Sequence, residues 1–216
     1  MVGPHVLSIY LPVPTITQSL QMHRDSAKPF YSHGKIIVEI GSGDGRLLNN
    51  LASLYHTDDN VLLIGIEVDE FQYRNSCAQI KRGNIQFINA EFENVLANFS
   101  DETLDTVISV LPHPDYIDRT HQQKWSPVYK VILDKMKPRG HFILVTELTD
   151  ELLEPVSTSD YRVWKRWLVE TFGSIGFDVA KVIDGAPLYF SSHYLDKFKN
   201  DPQRIKITSL ILTKKR

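Results

Sequence analysis

The fold is decided by Ile36-Ile37-Val38-Glu39-Ile40-Gly41-Ser42-Gly43-Asp44-Gly45-Arg46. An apolar run rich in β-branched residues reads as a buried strand. Three glycines on alternate positions then turn the chain, and Leu47, Leu48, Leu51, Leu54 and Tyr55 follow on one face of a helix. A strand that enters a helix through a glycine turn is half of a βαβ unit. The first backbone N–H groups of such a helix have no intrahelical partner and can meet a ligand. Dinucleotide sites want G-x-G-x-x-G, with the third glycine set for close packing beside a pyrophosphate. Here the third glycine comes one residue early and Arg46 takes the next place. The pattern is therefore E-x-G-x-G-x-G, and a dehydrogenase reading is weak.

Strands and helices alternate from Lys35 onward. The pattern predicts strands at Val61–Glu67, Asn84–Ile88, Leu104–Leu111 and Gly140–Val145, and two closing strands at Phe177–Ile183 and Ile205–Leu212. Helices are expected over Asp69–Arg82, behind Ser126-Pro127 as a cap and first-turn proline, and along Trp164, Leu168, Thr171, Phe172 and Ile175 up to Gly176. Val128, Ile132 and Met136 mark the buried side of the middle helix. Residues 1–34 read as an N-terminal extension, with Val6–Leu11 a short strand ended by Pro12 and Pro14, and 35–216 as the main domain. Such alternation gives a mostly parallel sheet with helices on both faces, whose ligands gather at the carboxyl ends of the strands. Glu67, Asn89, the loop Pro112-His113-Pro114-Asp115 and Thr146-Glu147 all fall there. Glu67 is placed to accept the hydrogens of a ribose diol, and Asn89 and Ala90 to flank an adenine.

Composition narrows the class. The chain has 216 residues and a formal net charge of -2, so it is no polycation. Its bases cluster nonetheless: six between Arg119 and Arg139 stand with only Asp134, and a second group runs from Lys197 to the end. A single cysteine, Cys77, forms no intramolecular disulfide and suits a reducing compartment. No apolar run approaches the ~20 residues of a membrane span. Met1-Val2-Gly3-Pro4-His5 lacks a basic leader, so a soluble, cytoplasmic protein is expected. No histidine pair has metal-ligand spacing, so no metal is expected.

The stretch from Glu39 to Gly45 resembles the first motif of the class I S-adenosylmethionine-dependent methyltransferases. The resemblance implies a Rossmann-like α/β methyltransferase fold with a seven-stranded, mostly parallel sheet. It also implies S-adenosyl-L-methionine contacts from Glu39, Gly41, Ser42, Gly43, Glu67, Asn89, Ala90 and Leu111. Downstream, Leu111-Pro112-His113-Pro114-Asp115 with Arg119, His121 and Lys124 is similar to the Phe-Pro-Asp-Pro-Trp loop and basic run of the tRNA (guanine-N7)-methyltransferase family. Thr146-Glu147 stands where that family has Thr-Asp, and Ser192-His193-Tyr194-Leu195-Asp196-Lys197-Phe198 parallels its Thr-x-Tyr-Glu-x-Lys-Phe. His113 replaces the family's loop aspartate, Asp115 its tryptophan, and Leu195 its late glutamate; Asp115 and Asp196 are displaced carboxylates that could substitute. What the resemblance implies is a tRNA methyltransferase with His113, Asp115, Glu147, Ser192, Tyr194 and Asp196 around the target and Arg119, Lys124 and Lys197 on phosphates. A small-molecule methyltransferase and a non-catalytic RNA-binding subunit of the same fold are the alternatives.

Overall fold

The computed structural model describes residues 34–55, 60–150, 152 and 154–215. The expected extension and its Val6–Leu11 strand therefore lie, but for Gly34, outside the described residues. Seven strands form one sheet: β1 (Lys35–Ile40), β2 (Val61–Glu67), β3 (Ile85–Asn89), β4 (Leu104–Val110), β5 (Met136–Thr149), β6 (Phe177–Asp184) and β7 (Ile205–Lys214). Their order across the sheet is β3-β2-β1-β4-β5-β7-β6. The first five pair in parallel, whereas β7 runs antiparallel to both β5 and β6. This is a Rossmann-like α/β architecture, with helices on both faces.

Side-chain alternation along the strands divides the core in two. One face carries Ile37, Leu63, Ile108 and Val145. They pack against Leu47, Leu48 and Leu51 of α1 (Arg46–Leu54) and Leu195 of α6 (His193–Lys199). The other face is aromatic: Phe142 of β5 and Phe177 of β6 meet Tyr129 of α4 (Gln122–Lys135) and Phe172 of α5 (Thr158–Ile175). Trp125 closes that cluster, stacked on Phe172 and donating its indole N–H to the Asp118 carbonyl at 2.7 Å. Two shorter helices, α2 (Glu70–Gln79) and α3 (Phe92–Leu96), follow β2 and β3.

Three local expectations are corrected. The middle helix begins at Gln122, not at Ser126-Pro127, so Pro127 lies inside it. A short 3-10 turn over Arg119–His121, capped by Asp118, starts the helix early and brings Trp125 into the core. Ser126 accordingly does not cap: its hydroxyl donates back to the Gln122 carbonyl at 2.7 Å. Leu54 ends α1 exposed, off the stripe made by Leu47, Leu48 and Leu51. The fifth strand is much longer than Gly140–Val145, because pairing with β7 continues to Thr149, opposite Ile205. Met136 is thus a strand residue, and Thr146 and Glu147 sit within the strand instead of after it.

Candidate active site

The glycine turn is fixed by backbone and neighbours together. Gly41, Gly43 and Gly45 all have positive φ, at 69°, 51° and 71°. Gly41 N and Ser42 N both donate to the Ile66 carbonyl, at 2.9 and 3.0 Å. The buried Ser76 hydroxyl of α2 holds the Gly43 carbonyl at 2.8 Å. A Cβ added at Gly45 would lie 2.7 Å from Ile80 Cδ1 and 2.8 Å from Phe87 Cζ, so this glycine serves close packing. At Gly41 and Gly43 a Cβ would meet nothing within 4 Å. Those two leave bare backbone facing open space.

Carboxylates crowd this turn. Glu67, at the end of β2, accepts from Gly43 N at 2.7 Å through one oxygen and from Asp69 N at 2.8 Å through the other. Glu39 is buried, and its Oε2 has no hydrogen-bond partner among the described residues. Desolvation first, then the nearby charges of Asp44 and Glu67, hold its pKa well above the usual carboxylate range. A buried acid with an unpaired oxygen is costly unless a cation or donor completes it.

Beside the turn opens a cleft of about 180 Å³. Gly41, Val68, Ala90 and Phe92 line it from the first three strands and their exits. Leu111, His113 and Tyr116 line it from the segment after β4, with Tyr129 behind. Leu111 takes a left-handed φ of 53° while its N–H donates to the Val145 carbonyl at 2.8 Å. Such a backbone costs a non-glycine residue energy and recurs at functional sites. Of the two residues expected beside an adenine, Ala90 reaches the cleft. The Asn89 amide instead donates to the Glu67 and Val68 carbonyls, at 2.8 and 3.1 Å, and fixes the end of β2. Tyr116, Phe92 and Val68 were not foreseen. Tyr116 donates its hydroxyl to Glu93 Oε1 at 2.6 Å and its ring meets Phe92 edge-on at 5.1 Å. The signal available was two aromatics shortly after strand exits, Phe92 three residues past β3 and Tyr116 six residues past β4.

The expected acceptor residues have mixed surroundings. His113 is exposed and accepts from Asp115 N at 3.3 Å, so it caps the short turn Pro114–Tyr116 while lining the cleft. Asp115 points to solvent. Glu147 lies opposite Ile207, on the core face that α6 covers. Burial raises its pKa to about 7, and its Oε2 is unpartnered among the described residues. Ser192 caps α6 by accepting from Leu195 N at 3.2 Å, Tyr194 is exposed, and Leu195 is wholly buried in the core. Asp196 accepts from Ser191 Oγ at 2.8 Å and from Arg46 Nη1 at 3.1 Å. Arg46 also binds Asp44 at 2.6 Å, so the last helix is tied directly to the glycine turn.

A family model described as a methyltransferase domain matches residues 32–183. The chain belongs to that methyltransferase family. Comparison with curated proteins returns no match. Among solved structures, the 16S rRNA methyltransferase KamB is similar at 12% identity, TM-score 0.64, over 94% of each chain. The 16S rRNA (adenine(1408)-N(1))-methyltransferase from Catenulisporales acidiphilia, solved with its cosubstrate, is similar at 16% identity and TM-score 0.62, over 89% of this chain and 91% of that one. The Haemonchus contortus phosphoethanolamine N-methyltransferase 2 matches at 14% identity and TM-score 0.59 over 93% of this chain, which spans only 53% of that enzyme. Identities this low establish the shared fold.

The methyl donor of the class I methyltransferases is S-adenosylmethionine, and the residues present fit it. Gly41 and Gly43 leave space where a Cβ would stand, Glu39 keeps an orphaned buried oxygen in the strand before them, and the apolar cleft opens at Gly41. Among the described residues no group of three or more His, Cys, Asp and Glu could hold a metal, and no helix is long and apolar enough to cross a membrane.

The basic clusters read differently in three dimensions. Lys130 pairs with Asp134, Lys135 with Asp101 at 2.8 Å and Lys137 with Asp105 at 2.7 Å. Near the end, Arg204 pairs with Asp201, Lys214 with Glu102 and Lys215 with Asp178. Acids distant in sequence therefore neutralise much of what looked like unopposed charge. Lys124 and Lys197 remain exposed without an acid partner among the described residues, and the Arg119 guanidinium lies 5.9 Å over the Trp167 ring.

Proposed function

We propose that this methyltransferase acts on RNA, transferring a methyl group to N7 of a guanine in tRNA. The observation that carries the reading is the Arg46–Asp196 contact, which joins two chain segments 150 residues apart. It sets the 192–198 segment, similar to the tRNA family's late motif, beside the turn that would hold the donor. In this reading Glu39, Gly41, Ser42, Gly43, Glu67, Ala90 and Leu111 hold the cofactor, while Asn89 braces the strand ends around it. His113, Asp115, Glu147, Ser192, Tyr194 and Asp196 surround the target, and Arg119, Lys124 and Lys197 contact phosphates.

The chemistry asks little of the protein beyond placement. Guanine N7 carries an in-plane lone pair and no proton at neutral pH. It forms the new C–N bond as the S–CH3 bond breaks, the bonding pair leaves with sulfur, and no general base is required. The bound donor supplies an electrophilic methyl on a sulfonium. The chain's own task is in-line orientation and exclusion of water, with Glu147 available to accept from the base edge and to favour a cationic product when ionised. The extensive pairing of the lysines also fits a small-molecule acceptor, which would need no cationic surface. Incubation with methyl-labelled S-adenosylmethionine and total tRNA, followed by nucleoside analysis, tests the assignment. The expected product is labelled 7-methylguanosine. Label confined to another nucleoside overturns the target base, and unlabelled tRNA beside a labelled small-molecule extract overturns the RNA assignment.

A further inference from the structure

The turn between β6 and α6 presents large side chains to solvent although it is firmly held. Gly185 N donates to the Ile207 carbonyl at 2.8 Å, and the Ser209 hydroxyl donates to the Gly185 carbonyl at 2.7 Å. Phe190 is buried, its N–H bonded to the Pro187 carbonyl at 2.9 Å and its carbonyl to Lys199 Nζ at 2.8 Å. Between these anchors Leu188 is fully exposed and Tyr189 is 47% exposed. The next helix repeats the arrangement. Leu195 and Phe198 of α6 turn inward, while His193, Tyr194 and Lys197 face out, with Tyr194 at 61% exposure. The Tyr189 ring is set edge-on to Phe190 at 5.1 Å and Tyr194 edge-on to His193 at 5.2 Å. Exposed rings on two successive segments of an anchored frame mark an interaction surface.

Position and charge say which partner fits. Asp184 at the end of β6 pairs with Thr208, and Thr149 at the end of β5 pairs with Ile205. The turn therefore leaves the sheet at the same end as the glycine turn, to which Arg46 and Asp196 tie its helix. The one acid of α6, Asp196, is engaged by Arg46, Ser191 and Lys199. Lys197 has no acid partner among the described residues, so the outward face is aromatic and positively charged. Aromatic faces beside a cation suit unpaired nucleotides, whose bases stack and whose phosphates pair. An enzyme working on a base ring draws that base from its stack, leaving its neighbours without a stacking partner.

We infer that Tyr189 and Tyr194, with His193 and Lys197, form a stacking platform for the unpaired bases flanking the target nucleotide, which moves Tyr194 from the target base to its neighbours. This rests on the RNA reading above. The test measures the affinity of a fluorescently labelled, unstructured mixed-sequence oligoribonucleotide and of total tRNA at one fixed salt concentration. The proteins compared are wild type and Tyr189→Ala, Leu and Phe, with the same three replacements at Tyr194. Each alanine variant is expected to weaken binding by about fivefold to a hundredfold, with leucine close to alanine and phenylalanine within about twofold of wild type. Melting temperature and calorimetric affinity for S-adenosylhomocysteine stay unchanged, which shows that folding and the donor site are intact. Wild type binding RNA with alanine variants just as tight, or leucine restoring full affinity, overturns the platform alone. Wild type binding neither RNA overturns the RNA reading and the platform with it.

Discussion

Replacing Gly41 and Gly45 separately by alanine distinguishes a glycine kept for a ligand from one kept for packing. Both have a left-handed φ, at 69° and 71°. Alanine there costs about 1–2 kcal/mol, of which about 0.4–1 kcal/mol is offset by the stiffer unfolded chain. At Gly41 nothing else changes, because its Cβ would meet no atom within 4 Å. The melting temperature should fall by about 1–6 °C, given about 2–4 °C per kcal/mol for a domain of this size. At Gly45 the added carbon would lie 2.7 Å from Ile80 and 2.8 Å from Phe87. Overpacking adds about 1–3 kcal/mol, and the expected drop grows to about 3–18 °C. Donor affinity should rank the other way. The Gly41 methyl would stand in the cleft, so calorimetric titration with S-adenosylhomocysteine should show a loss of tenfold or more, about 1.4 kcal/mol. Folded Gly45→Ala should lose less. Unchanged affinity in Gly41→Ala would refute the cradle, and a Gly45→Ala melting point above that of Gly41→Ala would refute the packing argument.

Further outcomes follow from the same geometry. Glu147, held up to about 7 by burial, keeps its proton more tightly in the folded than in the unfolded chain. Stability should therefore decline as pH rises from about 4.5 to about 7, and thermal melts of Glu147→Gln should lack that part of the slope. Tyr116→Phe removes a hydrogen bond to Glu93, which already has one buried unpaired oxygen. A loss of about 1.5–3 kcal/mol in urea unfolding is expected, with the Tyr116→Phe, Glu93→Gln double variant costing less than the two singles together. If Lys124 contacts phosphate, Lys124→Ala should flatten the log–log dependence of tRNA affinity on salt by about 0.7–0.9; an unaltered slope removes Lys124 from the interface.

Much of the fold was legible because its signals are local. Val61–Glu67 is buried at every position and reads as a central strand. Gly176 ends α5 as its glycine predicts, whereas the Ser157 cap at its start was not read from the polar loop before it. The errors arise where tertiary pairing overrides local cues. Nothing near Gly140 announces that β7 will extend β5 to Thr149, and Ser126-Pro127 imitates a helix start that Trp125 burial displaces. The donor side was readable for a related reason: glycines and strand-end acids are demanded by backbone geometry. The role of Ser76, which holds the Gly43 carbonyl from another helix, has no local signature. Nor does the neutralisation of Lys135 and Lys137 by Asp101 and Asp105, since each pair joins residues more than 30 apart.

The electrostatics of the donor side explain why this turn is held so rigidly. Glu39, Asp44 and Glu67 stand close enough that the last two raise the pKa of the first. Left to itself, such a group lowers its energy by taking up a proton or by moving apart. Separation is prevented: Glu67 is clamped by Gly43 N and Asp69 N, Asp44 by Arg46, and Glu39 by its place in a central strand between β2 and β4. A ligand carrying positive charge then gains twice, from attraction to fixed carboxylates and from the orphaned oxygen it completes. In the reading proposed above, the same clamps extend to the acceptor side through Arg46 and Asp196, and one frame would align both reactants. For the proposed transfer to guanine N7, which needs no proton moved and depends on in-line approach, that alignment is the main contribution a protein can make.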